Sequence, residues 1–234
     1  MTAPYEPDEV AARYARRAAT DRSSVLRPDG GQTLQERQRA MLALFARIGW
    51  SALADKRLVE VGCGSGGNLL ELLRLGLMPE HLGGAELLPE RYAQARRALP
   101  KAVVLHAGDA LAAPLAPSSQ DAVFVSTVFS SLLDEAYQQR LADAMWRWVR
   151  PGGGVLWYDF TVDNPRNADV RGVPLARVRA LFPHGVLQAR RVTLAPPIAR
   201  AVTRVHPALY TVFNAAPMLR THVLAWIGKS NAAV

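Results

Sequence analysis

Cysteine is nearly absent from this chain, and acidic residues are nearly absent from its last third. Cys63 is the single cysteine among 234 residues, which excludes a disulfide framework and any zinc site built on cysteines. No apolar run is long enough to cross a bilayer, and no basic segment followed by an apolar one opens the chain. We therefore expect a cytoplasmic protein without a transmembrane segment.

The charges are distributed unevenly along the chain. Residues 1–163 carry 18 Lys and Arg against 19 Asp and Glu, whereas residues 164–234 carry 10 against 1, the acid being Asp169. This excess predicts an anionic acceptor, an anionic membrane surface or an acidic partner, and it is equally typical of a solvated basic face. Few aromatic residues lie between the arginines, which disfavours nucleic acid as a partner.

Short aliphatic runs alternate with helical patterns in the middle of the chain. The predicted strands are 57–61, 82–87, 101–106, 121–127 and 155–160, and the predicted helices between them are 66–75, 89–99 and 135–149, the last capped by Asp134. Such alternation with short connections predicts a parallel sheet that is covered by helices on both faces.

Further elements flank this alternating pattern. Before it, the sequence predicts a helix over 8–19, a turn at 28–31, and a helix over 33–48 that begins with Thr33 and Glu36 as a capping box. After it, we expect a polar loop over 161–172, a short helix over 174–182, a strand over 186–194, one helical segment over 197–212 and a last strand over 221–229.

A glycine-rich turn joins the first strand to the helix that follows it. Glycines at this place let backbone N–H groups and the helix N-terminus approach a ligand. Gly62, Gly64 and Gly67 fit G-x-G-x-x-G, the dinucleotide fingerprint. Glu60, two residues before the first glycine, favours a different ligand. The turn by itself is compatible with a dinucleotide and with this other ligand.

The stretch from Glu60 to Gly66, E-x-G-C-G-S-G, resembles motif I of the class I S-adenosylmethionine (SAM) methyltransferases. Four later stretches resemble that family in the same order: 84–90, 108–110, 121–128 and 149–153, the last with a Pro-Gly-Gly turn. The resemblance implies an α/β fold, a doubly wound and mostly parallel sheet of seven strands with an antiparallel last strand. It also implies an N-terminal helical lid and a helical insertion between the last two strands.

The resemblance also implies which residues bind the cofactor SAM, and its product S-adenosylhomocysteine. In the family, the first acid faces the methionine end, an acid at the end of strand 2 accepts both ribose hydroxyls, and the third motif meets the adenine. The N-terminal helix supplies a residue that stacks on the cofactor. Carried onto this chain, the cofactor residues are Tyr14, Glu60, Gly62, Cys63, Gly64, Ser65, Gly66, Asn68, Glu86, Leu87, Gly108, Asp109, Ala110, Ser126 and Thr127.

The acceptor side is less defined. The resemblance implies methyl transfer to a small or medium-sized molecule, at oxygen, in natural-product or glycan biosynthesis; nitrogen or carbon is the alternative atom. Asp159 is the first candidate for a general base, with His106, His184, His206 and His222 as alternatives. The expected acceptor-binding residues are Tyr158, Asn164, Arg166, Asn167 and Arg171, which would suit an anionic acceptor. We expect residues 1–50 to form a helical cap and 51–234 the catalytic domain, in which 161–220 contact the acceptor.

Several competing functions make different predictions. Metal-dependent catechol-type methyltransferases have acids after strand 4, where this chain has Ser126 and Thr127, so we expect no metal. Methyltransferases of DNA and RNA typically have Asn/Asp-Pro-Pro-aromatic at that place, and the Ser-Thr-Val-Phe of this chain disfavours that class. An NAD-dependent oxidoreductase and a non-catalytic protein that binds SAM are two further candidate functions. The protein is expected to be a monomer or a homodimer.

Overall fold

The computed structural model describes residues 5–16, 24–163 and 167–231. Its centre is a sheet in the order β3-β2-β1-β4-β5-β7-β6. The strands are β1 (Leu58–Val61), β2 (Leu82–Glu86), β3 (Val104–Ala107), β4 (Gln120–Ser126), β5 (Val149–Phe160), β6 (Val186–Leu194) and β7 (Arg220–Gly228). Strands β1 to β5 pair in parallel, and β7 runs antiparallel to both β5 and β6. The predicted fold class is confirmed.

Helices cover both faces of this sheet. They are α1 (Glu6–Arg16), α2 (Pro28–Arg47), α3 (Gly67–Arg74), α4 (Pro89–Ala98), α5 (Glu135–Trp148), α6 (Leu175–Leu181), α7 (Pro196–Val205) and α8 (Leu209–Asn214). On one face, buried side chains of β1, β4 and β5 pack with Met145 and Trp148 of α5. On the other face, Phe45 of α2 and Leu72 of α3 pack with side chains of the same strands. The central strands are buried on both faces, which explains their continuous aliphatic sequence.

The second helix begins earlier than the sequence indicated. The capping box at Thr33 and Glu36 is wrong, because α2 starts at Pro28, and proline fits the first turn of a helix without losing a hydrogen bond. Gly30 and Gly31 lie inside this helix rather than in a turn. The side chains of the expected box make tertiary contacts instead: the Thr33 hydroxyl donates to the Tyr210 hydroxyl at 3.3 Å.

The helical segment between the last two strands is also divided differently from the prediction. Instead of one stretch over 197–212, α7 ends at Val205 and α8 begins at Leu209. Pro207 lies between them and cannot supply the N–H that a continuous helix needs. Leu194 pairs with Arg220, and Phe160 pairs with His222, so this insertion starts and ends at the edge where the parallel strands have their carboxyl ends.

No helix within 5–16, 24–163 and 167–231 has the length and the hydropathy that crossing a membrane requires.

Candidate active site

A cavity of about 570 Å³ opens at the carboxyl ends of β1, β2, β3 and β4. Ligands of open α/β sheets bind at this edge. Thirteen of the fifteen predicted cofactor residues line the cavity, namely Tyr14, Gly62, Cys63, Gly64, Ser65, Asn68, Glu86, Leu87, Gly108, Asp109, Ala110, Ser126 and Thr127. The other two, Glu60 and Gly66, lie behind this lining.

The glycine-rich turn takes a shape that other residues would resist. Gly62, Gly64 and Gly66 have φ angles of 68°, 58° and 87°, in the left-handed region. The N–H groups of Gly62 and Cys63 both donate to the carbonyl of Ala85, at 2.8 and 3.0 Å, which holds the turn against β2. A Cβ on Gly62 would lie 2.5 Å from Cγ2 of Val128, whereas one on Gly64 would meet nothing within 4 Å. Gly62 is therefore required for packing, and Gly64 leaves open space at the cavity.

Glu60 acts on the cavity through its neighbour Asn68. The Asn68 amide donates to Oε1 of Glu60 at 2.6 Å, and its carbonyl oxygen accepts from Nη2 of Arg37 at 2.7 Å. Arg37 also donates to Oε2 of Glu71 at 3.0 Å. Asn68 and Arg37 both line the cavity. The first motif and α2 thus form one polar network at this end of the cavity.

The carboxyl group of Glu60 is only partly satisfied by this network. Its side chain is 0 % exposed, and Oε2 has no hydrogen-bond partner among the described residues. Burial raises the pKa of Glu60 to about 8, although the Asn68 hydrogen bond and the Arg37 charge oppose that rise. A buried carboxyl oxygen without a partner fits a site whose polar network is completed by a bound polar group, such as the methionine end of SAM.

Glu86 is fixed by two backbone donors. The N–H of Gly64 donates to Oε2 at 2.7 Å, and the N–H of Leu88 donates to Oε1 at 2.9 Å. Each carboxylate oxygen keeps a second lone pair, so the group still accepts two hydroxyls side by side. Its position therefore fits the predicted role toward the ribose of SAM.

Asp109 is held by two tyrosines that the sequence did not indicate. The hydroxyl of Tyr137 on α5 donates to Oδ1 at 2.5 Å, and the hydroxyl of Tyr5 donates to Oδ2. The N–H of Leu111 also donates to Oδ1, at 2.9 Å. The hydrogen bond to Asp109 raises the pKa of Tyr5 to about 12, and burial raises the pKa of Tyr137, so both hydroxyls keep their protons.

Helix α1 forms a roof over the cavity. Pro7, Val10 and Tyr14 of this helix are part of the lining. Its buried Glu6 accepts from Arg13 at 2.6 Å and from the N–H of Leu133 at 2.7 Å. These bonds join α1 to the segment after β4.

Thr127 closes the cavity at the end of β4 in an unusual backbone conformation. Its φ of 54° is rare for a β-branched residue. The N–H of Thr127 donates to the carbonyl of Tyr158 at 2.8 Å, and its hydroxyl donates to the carbonyl of Ser126 at 2.8 Å. Strained conformations of this kind concentrate at functional sites, because the surrounding structure must maintain them.

Comparison with known proteins indicates which family the residues around the cavity resemble. Residues 59–157 match the family model described as a methyltransferase domain. This match covers the glycine-rich turn, Glu86, Asp109 and the end of β4. Over these residues the chain is similar to the class I SAM-dependent methyltransferases. This similarity supports SAM as the cofactor rather than the NAD of the alternative prediction. No protein of curated function matches the chain by sequence.

Solved structures support the fold of this chain. A chain in the complex between the Haloferax volcanii Trm112 methyltransferase activator and the putative methyltransferase is 18% identical with a TM-score of 0.61; the match covers 97% of this chain and 100% of that one. Geranyl diphosphate C-methyltransferase from Streptomyces coelicolor A3(2) is 15% identical with a TM-score of 0.62, covering 96% and 98%. A SAM-dependent methyltransferase from Mesorhizobium loti is 17% identical with a TM-score of 0.58, covering 86% and 98%.

Asp159 is outside the cavity lining. Its side chain is 1 % exposed, Oδ2 accepts from the N–H of Ser130 at 3.0 Å, and Oδ1 accepts from the N–H of Phe160 at 2.9 Å. Burial raises the pKa of Asp159 to about 6. These contacts anchor the segment after β4, and the role of Asp159 as a general base stays a prediction.

Tyr158 points to the opposite face of the sheet from Asp159. Its hydroxyl lies 2.9 Å from the hydroxyl of Thr193, and its ring stacks on His222 with centroids 5.1 Å apart. Burial and the charge of Arg37 lower the pKa of His222 to about 4, so this imidazole is neutral. Neither ring lines the cavity, although Arg37 lies over the Tyr158 ring and connects the two regions.

The loop after β5 contributes no side chain to the cavity among its described residues. Asn167 accepts from the N–H of Asp169 at 3.1 Å, in a local turn. The Arg171 side chain is exposed and lies 3.6 Å from Glu135. Two further predicted acceptor residues, Asn164 and Arg166, lie outside the described residues.

Three residues at the site were missed by sequence reasoning. Arg37 lies in the middle of a helix, and Tyr5 and Tyr137 contact Asp109 from positions 104 and 28 residues away in the sequence. No local motif marks such residues, because only the packing of distant elements brings them to the cavity.

Proposed function

We propose that this methyltransferase transfers the methyl group of SAM to an oxygen atom of a small or medium-sized acceptor, in the cytoplasm. The observation that carries the proposal is the roof formed by α1. With Pro7, Val10 and Tyr14 over the cavity, an acceptor must fit beneath a helix, which a large folded macromolecule does not do.

The cofactor would occupy the cavity in one direction. Glu86 suits the ribose hydroxyls, while Asp109 and the backbone of Ala110 suit the adenine, as the family resemblance implies. Asn68 and Arg37 are then left for the amino and carboxylate groups of the methionine portion. This direction places the sulfonium methyl near Ser126 and Thr127, at the end of β4, where the acceptor would enter.

The methyl transfer itself depends mostly on alignment and on exclusion of water. An acceptor hydroxyl also gains from a base that removes its proton. We propose Asp159 for this role, reached through movement of the segment that its carboxylate now anchors. Natural-product or glycan biosynthesis is the proposed context, an anionic acceptor is the proposed ligand, and a monomer or a homodimer is the proposed state.

Asp159→Asn tests the base directly. A base predicts that kcat falls by about 10²- to 10⁴-fold and that the acidic limb of the pH profile disappears. A purely anchoring role predicts a lower free energy of unfolding with a small change in kcat, and that result would assign Asp159 to structure alone.

Transfer of a labelled methyl group tests the proposed function as a whole. The protein is incubated with SAM carrying a ¹³C methyl group and a panel of hydroxylated metabolites, amines and carbon nucleophiles. The ¹³C chemical shift of the product distinguishes a methyl group on oxygen from one on nitrogen or carbon. A product methylated at nitrogen or carbon would overturn the proposed O-methylation.

A further inference from the structure

Exposed apolar side chains and arginines occur together on the insertion between β6 and β7. We define the α7–α8 patch as Arg200, Arg204 and Val205 of α7, Val212 and Phe213 of α8, and Met218 in the short turn that follows. Val205 is 78% exposed, Val212 65%, Phe213 40% and Met218 80%. Several exposed apolar side chains within one short insertion exceed what a monomer surface usually shows singly, and such groups mark interaction sites when polar residues surround them.

The patch lies on an ordered base. Beneath it, Leu194, Ala199 and Tyr210 form a small buried cluster of their own. The Tyr210 hydroxyl accepts from the N–H of Leu194 at 3.3 Å, and the guanidinium of Arg220 donates to the carbonyl of Asn214 at 2.7 Å. The interior beneath the patch is therefore filled by other side chains. The apolar side chains of the patch remain exposed on helices that are themselves packed.

The charge around the patch has one sign. No Asp or Glu occurs between residues 170 and 231. Within the described part of the chain, Arg200 and Arg204 form no salt bridge, and neither do Arg190 and Arg191 on the neighbouring strand β6. Arginines without carboxylate partners beside exposed aliphatic groups complement a surface that is anionic outside and apolar beneath.

The topology places the patch at the functional edge of the sheet. The insertion that carries it leaves β6 at Leu194 and enters β7 at Arg220, and these two residues pair at the edge with the carboxyl ends of the parallel strands. The cavity opens at the same edge. A surface bound to the patch would therefore lie at the end of the molecule from which the cavity is reached.

We propose that the α7–α8 patch docks this methyltransferase on the surface of an anionic lipid bilayer. The arginines would contact lipid phosphates, and Val205, Val212, Phe213 and Met218 would enter the interface between headgroups and acyl chains. Nucleic acid fits less well, because three of these four exposed apolar residues are aliphatic and offer no ring for base stacking. The proposal does not depend on which atom the enzyme methylates.

Sedimentation with lipid vesicles tests this proposal. The assay contains neither SAM nor an acceptor, so a negative result would contradict the docking proposal without bearing on the proposed methyl transfer. The full chain is mixed with phosphatidylcholine vesicles and with equimolar phosphatidylcholine and phosphatidylglycerol vesicles. We expect binding to the anionic vesicles only, weakened by added salt. Arg204→Ala should reduce the partition about fivefold, and Val212→Asp should reduce it at least about tenfold.

Matched variants from the opposite edge of the sheet are the controls. Arg97→Ala on α4 removes an exposed arginine, and Val104→Asp changes a valine that is 54% exposed on the edge strand β3. Both should bind vesicles as the unchanged chain does. Equal binding to the two kinds of vesicle would overturn the proposal, as would equal losses in patch and control variants. Binding of a labelled single-stranded oligonucleotide without vesicle binding would also overturn it, and would assign the patch to nucleic acid.

Discussion

Arg37 of α2 donates a 2.7 Å hydrogen bond to the side-chain carbonyl of Asn68, at the start of α3. The bond joins the N-terminal helices to the glycine-rich turn, because Asn68 in turn donates to Glu60 at the end of β1. It also places a cation at the cavity where the methionine portion of SAM is expected. The N-terminal region therefore contributes a charged side chain to the cavity as well as the roof formed by α1.

Replacement of Arg37 should weaken cofactor binding. Arg37→Ala removes a charged donor, and we expect the dissociation constant of SAM to rise about 10- to 100-fold, with the same rise for S-adenosylhomocysteine, because both have the carboxylate. Calorimetric titration measures both values. Arg39→Ala, an exposed arginine on the same helix, is the control and should leave them unchanged. An unchanged dissociation constant in Arg37→Ala, with the variant folded by circular dichroism, would contradict this assignment.

Glu60 should make stability depend on pH. Its pKa rises to about 8 in the folded protein, against about 4.3 in an unfolded chain. The folded state therefore binds the proton more tightly, and the free energy of unfolding must fall as the pH rises from about 5 to about 8. Glu60→Gln has no such proton, so it should lose less stability over this interval, by a difference on the order of a few kcal/mol.

Urea denaturation at several pH values, without SAM, checks the Glu60 prediction. The slope of unfolding free energy against pH should be shallower in the variant than in the unchanged chain. Parallel slopes would show that Glu60 is ionised across this range and would contradict the burial effect.

Two glycines of the same turn should respond differently to alanine. Gly62→Ala introduces a Cβ 2.5 Å from Val128 at a φ of 68°, and we expect a loss of about 1–3 kcal/mol of unfolding free energy. Gly64→Ala adds only the strain of its φ of 58°, about 1 kcal/mol, but its methyl group enters the cavity and should weaken SAM binding about tenfold or more. Urea denaturation and calorimetry separate the two effects. A larger loss of stability in Gly64→Ala would refute the comparison.

Tyr14 should contribute to cofactor binding through its ring. It lines the cavity from α1, and the guanidinium of Arg91 lies 4.6 Å from its ring centroid. Tyr14→Ala should raise the dissociation constant of SAM about tenfold without unfolding the chain, whereas Tyr14→Phe keeps the ring and should bind normally. An unchanged dissociation constant of SAM in Tyr14→Ala, measured by calorimetry, would contradict this prediction.

The sequence predicted those parts of the site that a local sequence motif marks, and it missed those that depend on distant contacts. Gly62, Glu86 and Asp109 lie at or just after the ends of parallel strands, which meet at one edge of the sheet, so a local motif was enough to bring them together. Asp159 shows the limit of this reasoning. It lies near the end of a strand at the same edge, yet its carboxylate accepts from the N–H of Ser130 and is not part of the cavity lining.

The start of α2 shows a second limit. Thr33 and Glu36 have the spacing of a capping box, but Pro28 begins the helix earlier, and Glu36 instead accepts from the N–H of Thr193 at 3.2 Å. A tertiary contact with a residue 157 positions away cannot be inferred from local spacing.

The amino-acid sequence by itself determined the order of strands and helices, the glycine-rich turn and the acids at the strand ends, because hydrophobic periodicity and backbone freedom are local properties. Only the tertiary structure decided that Arg37 reaches Asn68 and that Tyr5 and Tyr137 hold Asp109. Those contacts depend on how distant elements pack, and packing is determined by the whole core.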